Sequence, residues 1–439
     1  MTLLVISPDY ASHLLPLATL ATAWRDAGER VVVATGPATE AIISSFGFDR
    51  VELTLGRGSN PGGARADRQV PEEDESLRGF FAATRGGMLP TLRYQADQRA
   101  TDLLWRPVEK AEATLRVLDA VQPDHILVDH LAYSARLALA SRDVDHADVV
   151  LGHPSALPVG AEVYGYPTSW PKAFSPSPSG LGILHARCRA VSSAFTAEWN
   201  AALAILEPAR SPVENAFAEH GSTVLLNYPA ALHDPTRTDL LPAGHTFLGS
   251  SVRTESPPPD VRRWLDEADD RPVVCVTFGS FLSARGDVLE RVAAALSGLD
   301  VRVALAVGSA DTSRWADLPE DWLVRESLPQ VAVLAHAALL VTHGGNNSIT
   351  EALTFGVPML VLPFSTDQFA GAQGVEAAGL GASLDPNAAT TGELAAALTT
   401  LLGTGPTPAG RSLADQLTRT PGPALAYATV AGAALGSQS

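Results

Sequence analysis

Two side chains in this 439-residue chain are well placed to move a proton. His13 follows the short apolar run TLLVIS and opens the helical pattern HLLPLATLATAW, and Asp129 ends the run HILVD just before LAYSARLALA. An imidazole titrates near neutrality, so His13 can take a proton from an attacking hydroxyl. A carboxylate beside it can fix the tautomer and steady the imidazolium that forms. A third group lies in LAHAALLVTHGGNNSITEALTFGVPMLVLPFSTDQ, residues 334–368. Here LLVT reads as a buried strand, His343-Gly344-Gly345 as a turn, and Asn346 as the start of a helix. Glycines let backbone approach a ligand, and free amides at a helix start accept phosphate oxygens. Asn347 and Ser348 can add side-chain donors. Glu351 falls one turn beyond Asn347 on the same helix face, where a carboxylate can accept both hydroxyls of a ribose. Asp367-Gln368 follows the run PMLVLP and can grip sugar hydroxyls. Taken singly, these residues also read as helix caps and turn formers.

Positioning such groups requires sheets whose strand ends converge. The first fifty residues alternate apolar runs with helical patterns, and a second such series runs from PVVCVTFGS through VRVALAVGS, LLVTHGG, PMLVLPF and GLGASL. Runs that are apolar throughout suit strands buried on both faces of a parallel sheet. The expected class is therefore α/β, with two doubly wound Rossmann-like domains facing a central cleft. We place an acceptor-binding domain over residues 1–250 and a nucleotide-binding domain over 251–415. A terminal helix within 416–439 is expected to pack back on the first domain. Pro257 to Pro259 mark an extended connector between the domains. Residues 56–76, rich in glycine and charge, read as a long mobile loop, with Glu72 to Glu75 as solvated charges. The acceptor pocket is expected along residues 56–100 and 153–180.

Composition narrows the partners. With 31 Lys plus Arg against 48 Asp plus Glu, the net charge of −17 repels a polyanion, which argues against nucleic acid. Cys188 and Cys275 are too few for a disulfide framework or a zinc cluster. No basic region precedes the apolar N-terminus, so neither a signal peptide nor a membrane span is expected, and a cytoplasmic location follows. A homodimer stays open. Asp143-Val144-Asp145 has the form of a metal-binding DxD, but its place between a helix and a strand reads as a chain turn. We expect no metal and no cofactor. Neither domain opening carries GxGxxG, which disfavours a dehydrogenase.

At residues 329–368 the sequence resembles the nucleotide-sugar-dependent glycosyltransferases of the GT-B fold, and more closely the natural-product and plant small-molecule glycosyltransferases. The matching positions are Pro329-Gln330, His343, Gly345, Asn347, Ser348, Glu351 and Asp367-Gln368. The resemblance implies diphosphate contacts from His343, Asn347 and Ser348, a ribose contact from Glu351, and sugar contacts from Asp367 and Gln368. Gly279-Ser280 matches a loop that approaches the phosphates, and Leu328 and Asn346 fall within the same donor-binding set. His13, with Pro16 after it, matches the family's catalytic base, and Asp129 matches its orienting aspartate. Three departures stand out. Ser327 replaces a tryptophan that stacks on the base, Asn346 replaces another tryptophan, and Ser12 stands where the family has glycine before the histidine. The resemblance implies an inverting, metal-independent hexosyltransferase acting on a hydroxyl of a small, natural-product-like acceptor. Glu351 favours UDP-sugars over dTDP-sugars as donor. An epimerase or hydrolase of nucleotide sugars, or a catalytically silent binding homologue, would share the donor site.

Overall fold

The computed structural model describes residues 1–62, 71–267, 269–279, 285–308, 315 and 317–432. The side chains of 71–74 and 100–102 are not part of that description. Among the described residues, thirteen strands form two wholly parallel sheets. The first contains β1 (Thr2–Ile6), β2 (Arg30–Thr35), β3 (Asp49–Glu52), β4 (His125–Asp129), β5 (Ala147–Val150), β6 (Thr223–Leu226) and β7 (His245–Phe247), in the order β3-β2-β1-β4-β5-β6-β7. The second contains β8 (Val273–Thr277), β9 (Arg302–Ala306), β10 (Leu323–Arg325), β11 (Ala337–Thr342), β12 (Met359–Val361) and β13 (Gly381–Ser383), in the order β10-β9-β8-β11-β12-β13. Helices cover both faces, so the central strands are buried throughout: β8 and β9 have no exposed residue.

Strand order decides where ligands can sit. In each sheet the chain first winds outward in one direction, then crosses back and winds in the other. The reversal lies between β1 and β4 in the first sheet and between β8 and β11 in the second. A crevice opens beyond the carboxyl ends of such a strand pair. His13 follows β1 and Asp129 ends β4, while Gly279 follows β8 and His343 follows β11. All four chemical positions therefore fall at the two switch points.

The segment expected as a loop over 56–76 is partly helical. Helix Pro71–Arg85 includes Glu72 to Glu75, and helix Met88–Asp102 follows it. A proline at the first helical position and acidic residues in the first turn favour a helix start there. Phe80 and Phe81 then pack against the apolar core of the second sheet, and Asn387 and Arg285 bond to Thr84 at 2.8 and 3.3 Å. The two helices bridge the halves of the molecule. Residues 63–70 of the expected loop lie outside the described residues.

The division drawn at 415/416 cuts through helix Pro408–Arg419, which Thr407 caps and Pro408 opens. The last described helix is Gly422–Ala431. It lies on the first helix, Ala11–Asp26, where Tyr427 meets Trp24 edge-on at 5.1 Å and donates to Glu29 at 2.8 Å. None of the described helices is long and apolar enough to cross a membrane.

Candidate active site

The first helix prepares two groups for the cleft. His13 Nδ1 lies 2.7 Å from Asp129 Oδ2, and Asp129 Oδ1 accepts from the Leu131 amide at 2.8 Å. Asp129 is 1% exposed and the His13 side chain 27%, so the carboxylate is sealed while the imidazole reaches solvent. Burial acts to lower the His13 pKa, but the charge and hydrogen bond of Asp129, with Asp367 further off, leave it raised above 6.5. With Nδ1 committed to Asp129, Nε2 is the nitrogen free to accept a proton. The second group is the Ser12 carbonyl. Residue 16 should donate to it within the helix, but Pro16 has no N–H. That carbonyl instead accepts Asn347 Nδ2 across the cleft at 3.0 Å.

The facing turn is built on close contact. Gly344 takes φ +84°, a conformation that glycine adopts without strain. The His343 ring packs between two other glycines: a Cβ on Gly345 would lie 2.5 Å from Nε2, and one on Gly279 would lie 3.0 Å from Cε1. Burial pulls His343 down to about 4, against the opposing effects of Asp367 and the Thr277 backbone. The ring is therefore neutral near pH 7, and it can offer an anion a hydrogen bond but no positive charge. Gly345 caps helix Asn346–Thr354 without a side-chain bond to the first-turn amides. Those amides are free to meet an anion.

Asp367 sits at the centre of the cleft. Its Oδ2 accepts from the His153 amide at 2.9 Å and its Oδ1 from Thr366 Oγ1 at 2.8 Å. It lies so close to Gly152 that a Cβ there would meet Oδ2 at 2.7 Å. Gln368 turns its carbonyl oxygen to the amides of Phe364 and Ser365, at 3.0 and 3.1 Å, so that oxygen is occupied in holding its own loop. Glu351 is 4% exposed and receives Arg253 Nη1 at 2.9 Å and Gln330 Nε2 at 2.6 Å. Gln330 Nε2 also reaches Ser348 Oγ at 3.2 Å.

Most of the sequence-derived residues come together around the cleft. Asn346 donates to the carbonyls of Leu151 and Asn227, at 2.6 and 2.8 Å, so its amide ties the donor turn to the ends of β5 and β6 rather than facing a ligand. Its place in the turn aims the side chain at the first sheet. Leu328 packs against the apolar cluster beneath the site. Ser280 lies outside the described residues. Asp143 and Asp145 precede β5 and so stand at the opposite edge of the sheet from the cleft, where Asp143 pairs with Arg210 at 2.6 Å. Sequence reasoning missed His153, Arg253 and Glu255. His153, next to a proline just past β5, follows the same strand-end rule that located His13.

The Asn346 contacts give a direct test. Asn346→Ala leaves two carbonyls without their donor, and the expected loss is about 1–3 kcal/mol of stability, read as a lower melting temperature in calorimetry. An unchanged midpoint would show that the tie contributes nothing.

The UDP-glucoronosyl and UDP-glucosyl transferase family model matches residues 220–405. The NDP-glycosyltransferase YjiC of Bacillus subtilis is 33% identical over 131 residues, 30% of this chain and 33% of that protein. The PGL/p-HBAD biosynthesis glycosyltransferase Rv2958c of Mycobacterium tuberculosis is 33% identical over 165 residues, 37% of each. The matched stretch thus spans about a third of these relatives' length. Among solved structures, spinosyn rhamnosyltransferase SpnG complexed with thymidine diphosphate superposes with a TM-score of 0.66 at 21% identity, covering 98% of each chain. The chain has the GT-B fold over its length, and residues 220–405 resemble the UDP-glucoronosyl and UDP-glucosyl transferases.

Proposed function

We propose that this protein is an inverting glycosyltransferase that moves a hexose from a nucleotide-diphosphate sugar to a hydroxyl of a small-molecule acceptor. The observation that carries the reading is the His13–Asp129 pair at 2.7 Å, set across the cleft from the His343–Gly345 turn and Asp367. In this reading Nε2 of His13 takes the acceptor proton as its oxygen attacks the anomeric carbon, and the nucleoside diphosphate leaves from the opposite side. One in-line displacement inverts the anomeric centre. The leaving diphosphate is met by the free backbone amides of Asn346, Asn347 and Ser348 and by a neutral His343 donor, a fixed set of dipoles that needs no reorganisation. Asp367 holds sugar hydroxyls. The acceptor enters from the N-terminal half.

Uridine is the favoured nucleoside. A carboxylate has about four acceptor positions. Arg253 takes one on Oε1 of Glu351 and Gln330 one on Oε2, leaving one on each oxygen for the two hydroxyls of a ribose. The relatives named above include an NDP-glycosyltransferase, and SpnG was solved with thymidine diphosphate, so dTDP-sugars belong in the same test. The protein is incubated with UDP-glucose or dTDP-glucose and a panel of phenolic and polyketide alcohols, and products are read by mass spectrometry. An acceptor carrying one added hexose, with inverted anomeric configuration by NMR, is the expected result. Donor isomerised or hydrolysed with no glycosylated acceptor would instead assign an epimerase or hydrolase.

A further inference from the structure

The connector between the two sheets carries more than spacing. Residues 251–258 lead from β7 to helix Pro259–Leu265, and two of their side chains turn inward. Arg253 Nη2 donates to Glu255 Oε1 at 2.8 Å, and its Nη1 donates to Glu351 Oε1 at 2.9 Å. Glu255 Oε2 accepts the Val331 amide at 2.9 Å, at the start of the short helix that carries Gln330. Gln330 Nε2 completes the circuit on Glu351 Oε2 at 2.6 Å. The result is a closed ring, Glu255–Arg253–Glu351–Gln330 and back through the helix backbone. Every member is at least partly buried, and charge-assisted bonds in such surroundings are the stronger kind.

We infer that Arg253 is a specificity-determining positioning residue: by holding Glu351 in one orientation as a bare carboxylate, it makes the site select a nucleotide with a 2′-hydroxyl over the 2′-deoxy form. This rests on the reading of Glu351 as the ribose contact. A carboxylic acid would keep one O–H of its own and lose acceptor capacity, and a swinging carboxylate would present its two oxygens to the diol only part of the time. The loss at the 3′-hydroxyl is common to both nucleotides, so the loss at the 2′-hydroxyl alone changes the preference.

Among the described residues the charged surroundings of Glu351 are few. Arg253 and Glu255 face it from the connector, and the thiol of Cys275 faces it from β8. Burial, then Glu351, pushes Cys275 up to about 12, so the thiol does not ionise in the working range. Burial and Glu255 raise the Glu351 pKa, while Arg253 and the Gln330 bond oppose them. Removing Arg253 leaves the raising influences without their main opponent, and the carboxyl then takes up a proton at a higher pH than before.

The experiment compares UDP with dUDP, which share a base and differ only at the 2′ position, by isothermal titration of the full chain. Wild type is expected to bind UDP roughly tenfold more tightly than dUDP, the worth of one hydrogen bond to a charged group. In Arg253→Met the preference should fall toward about one, chiefly through weaker UDP binding, and the fall should deepen as pH is lowered. Arg253→Lys, which keeps the charge, should keep most of the preference. Melting temperatures of each variant identify any that do not fold, and Glu255→Gln, which loosens the grip on Arg253, gives a second route to the same loss. A preference retained in folded Arg253→Met or Glu255→Gln overturns the inference. If wild type binds neither nucleotide, the failure lies in the donor-site reading itself.

Discussion

Replacing His13 with alanine is expected to lower kcat/KM for sugar transfer by about 10²–10⁴ while nucleotide binding stays close to wild type. The imidazole stands at the switch point of the first sheet, and its side-chain hydrogen bond is to Asp129. No donor-binding group is lost with it. A general base acts on the acceptor proton, so its removal should appear in kcat and leave the nucleotide Kd unmoved. Steady-state kinetics with titration of UDP on the same preparation separates the two. Transfer at the wild-type rate would remove His13 from the mechanism.

Asp129→Asn is expected to cost a comparable factor, about 10²–10⁴ in kcat, for a different reason. An aspartate accepts the Nδ1 proton and leaves Nε2 bare toward the cleft. An asparagine can turn its NH₂ to Nδ1, which drives the proton onto Nε2, the nitrogen that has to accept. The pH profile carries a second signature. In wild type the base is active when neutral, so kcat/KM falls as pH drops through the His13 pKa, which lies above 6.5. Removing the Asp129 charge lowers that pKa, so the acid limb should move to lower pH even as the plateau falls. Stability should follow the sign of the shift. A histidine whose pKa is raised on folding adds stability that is fully present below about 6.5 and is lost as pH rises through the folded value. The melting-temperature gap between wild type and Asp129→Asn should therefore narrow as pH rises from below 6.5 through the folded His13 value. An unchanged acid limb would mean that the carboxylate does not tune His13.

How much of this was legible in the sequence depended on the range of the interaction. Strands buried on both faces must be apolar throughout, so VVCVT and ALLVT announced a parallel sheet on their own. Strand-end chemistry was legible too, because a residue directly after a buried strand is fixed to the sheet edge. His13, Asp129 and His343 were found in that way. Pairing across the chain was not legible. Nothing near residue 253 says that its guanidinium meets Glu351, nearly a hundred positions later, and the connector around it read as spacing because its three prolines dominate the pattern. Asn346 was assigned to the ligand by its neighbours, whereas its amide is taken by Leu151 and Asn227 from another sheet. The helices at 71–102 were obscured by charge: a run of acidic residues suits a solvated loop and the first turn of a helix equally well. The charge state of His343 was not legible either: its burial between Gly279 and Gly345 makes the ring neutral.

The central claim, that the segment from His343 to Gln368 holds a nucleotide sugar, is tested most directly by ligand-induced stabilisation. A donor that binds only the folded state adds about 2.7 kcal/mol at a hundred times its Kd. The account predicts that UDP-glucose, followed by dTDP-glucose, raises the melting temperature in a saturable manner, and that Gly345→Ala, whose Cβ would lie 2.5 Å from His343 Nε2, abolishes the rise. No shift with either nucleotide sugar at millimolar concentration, or an equal shift in Gly345→Ala, would contradict it.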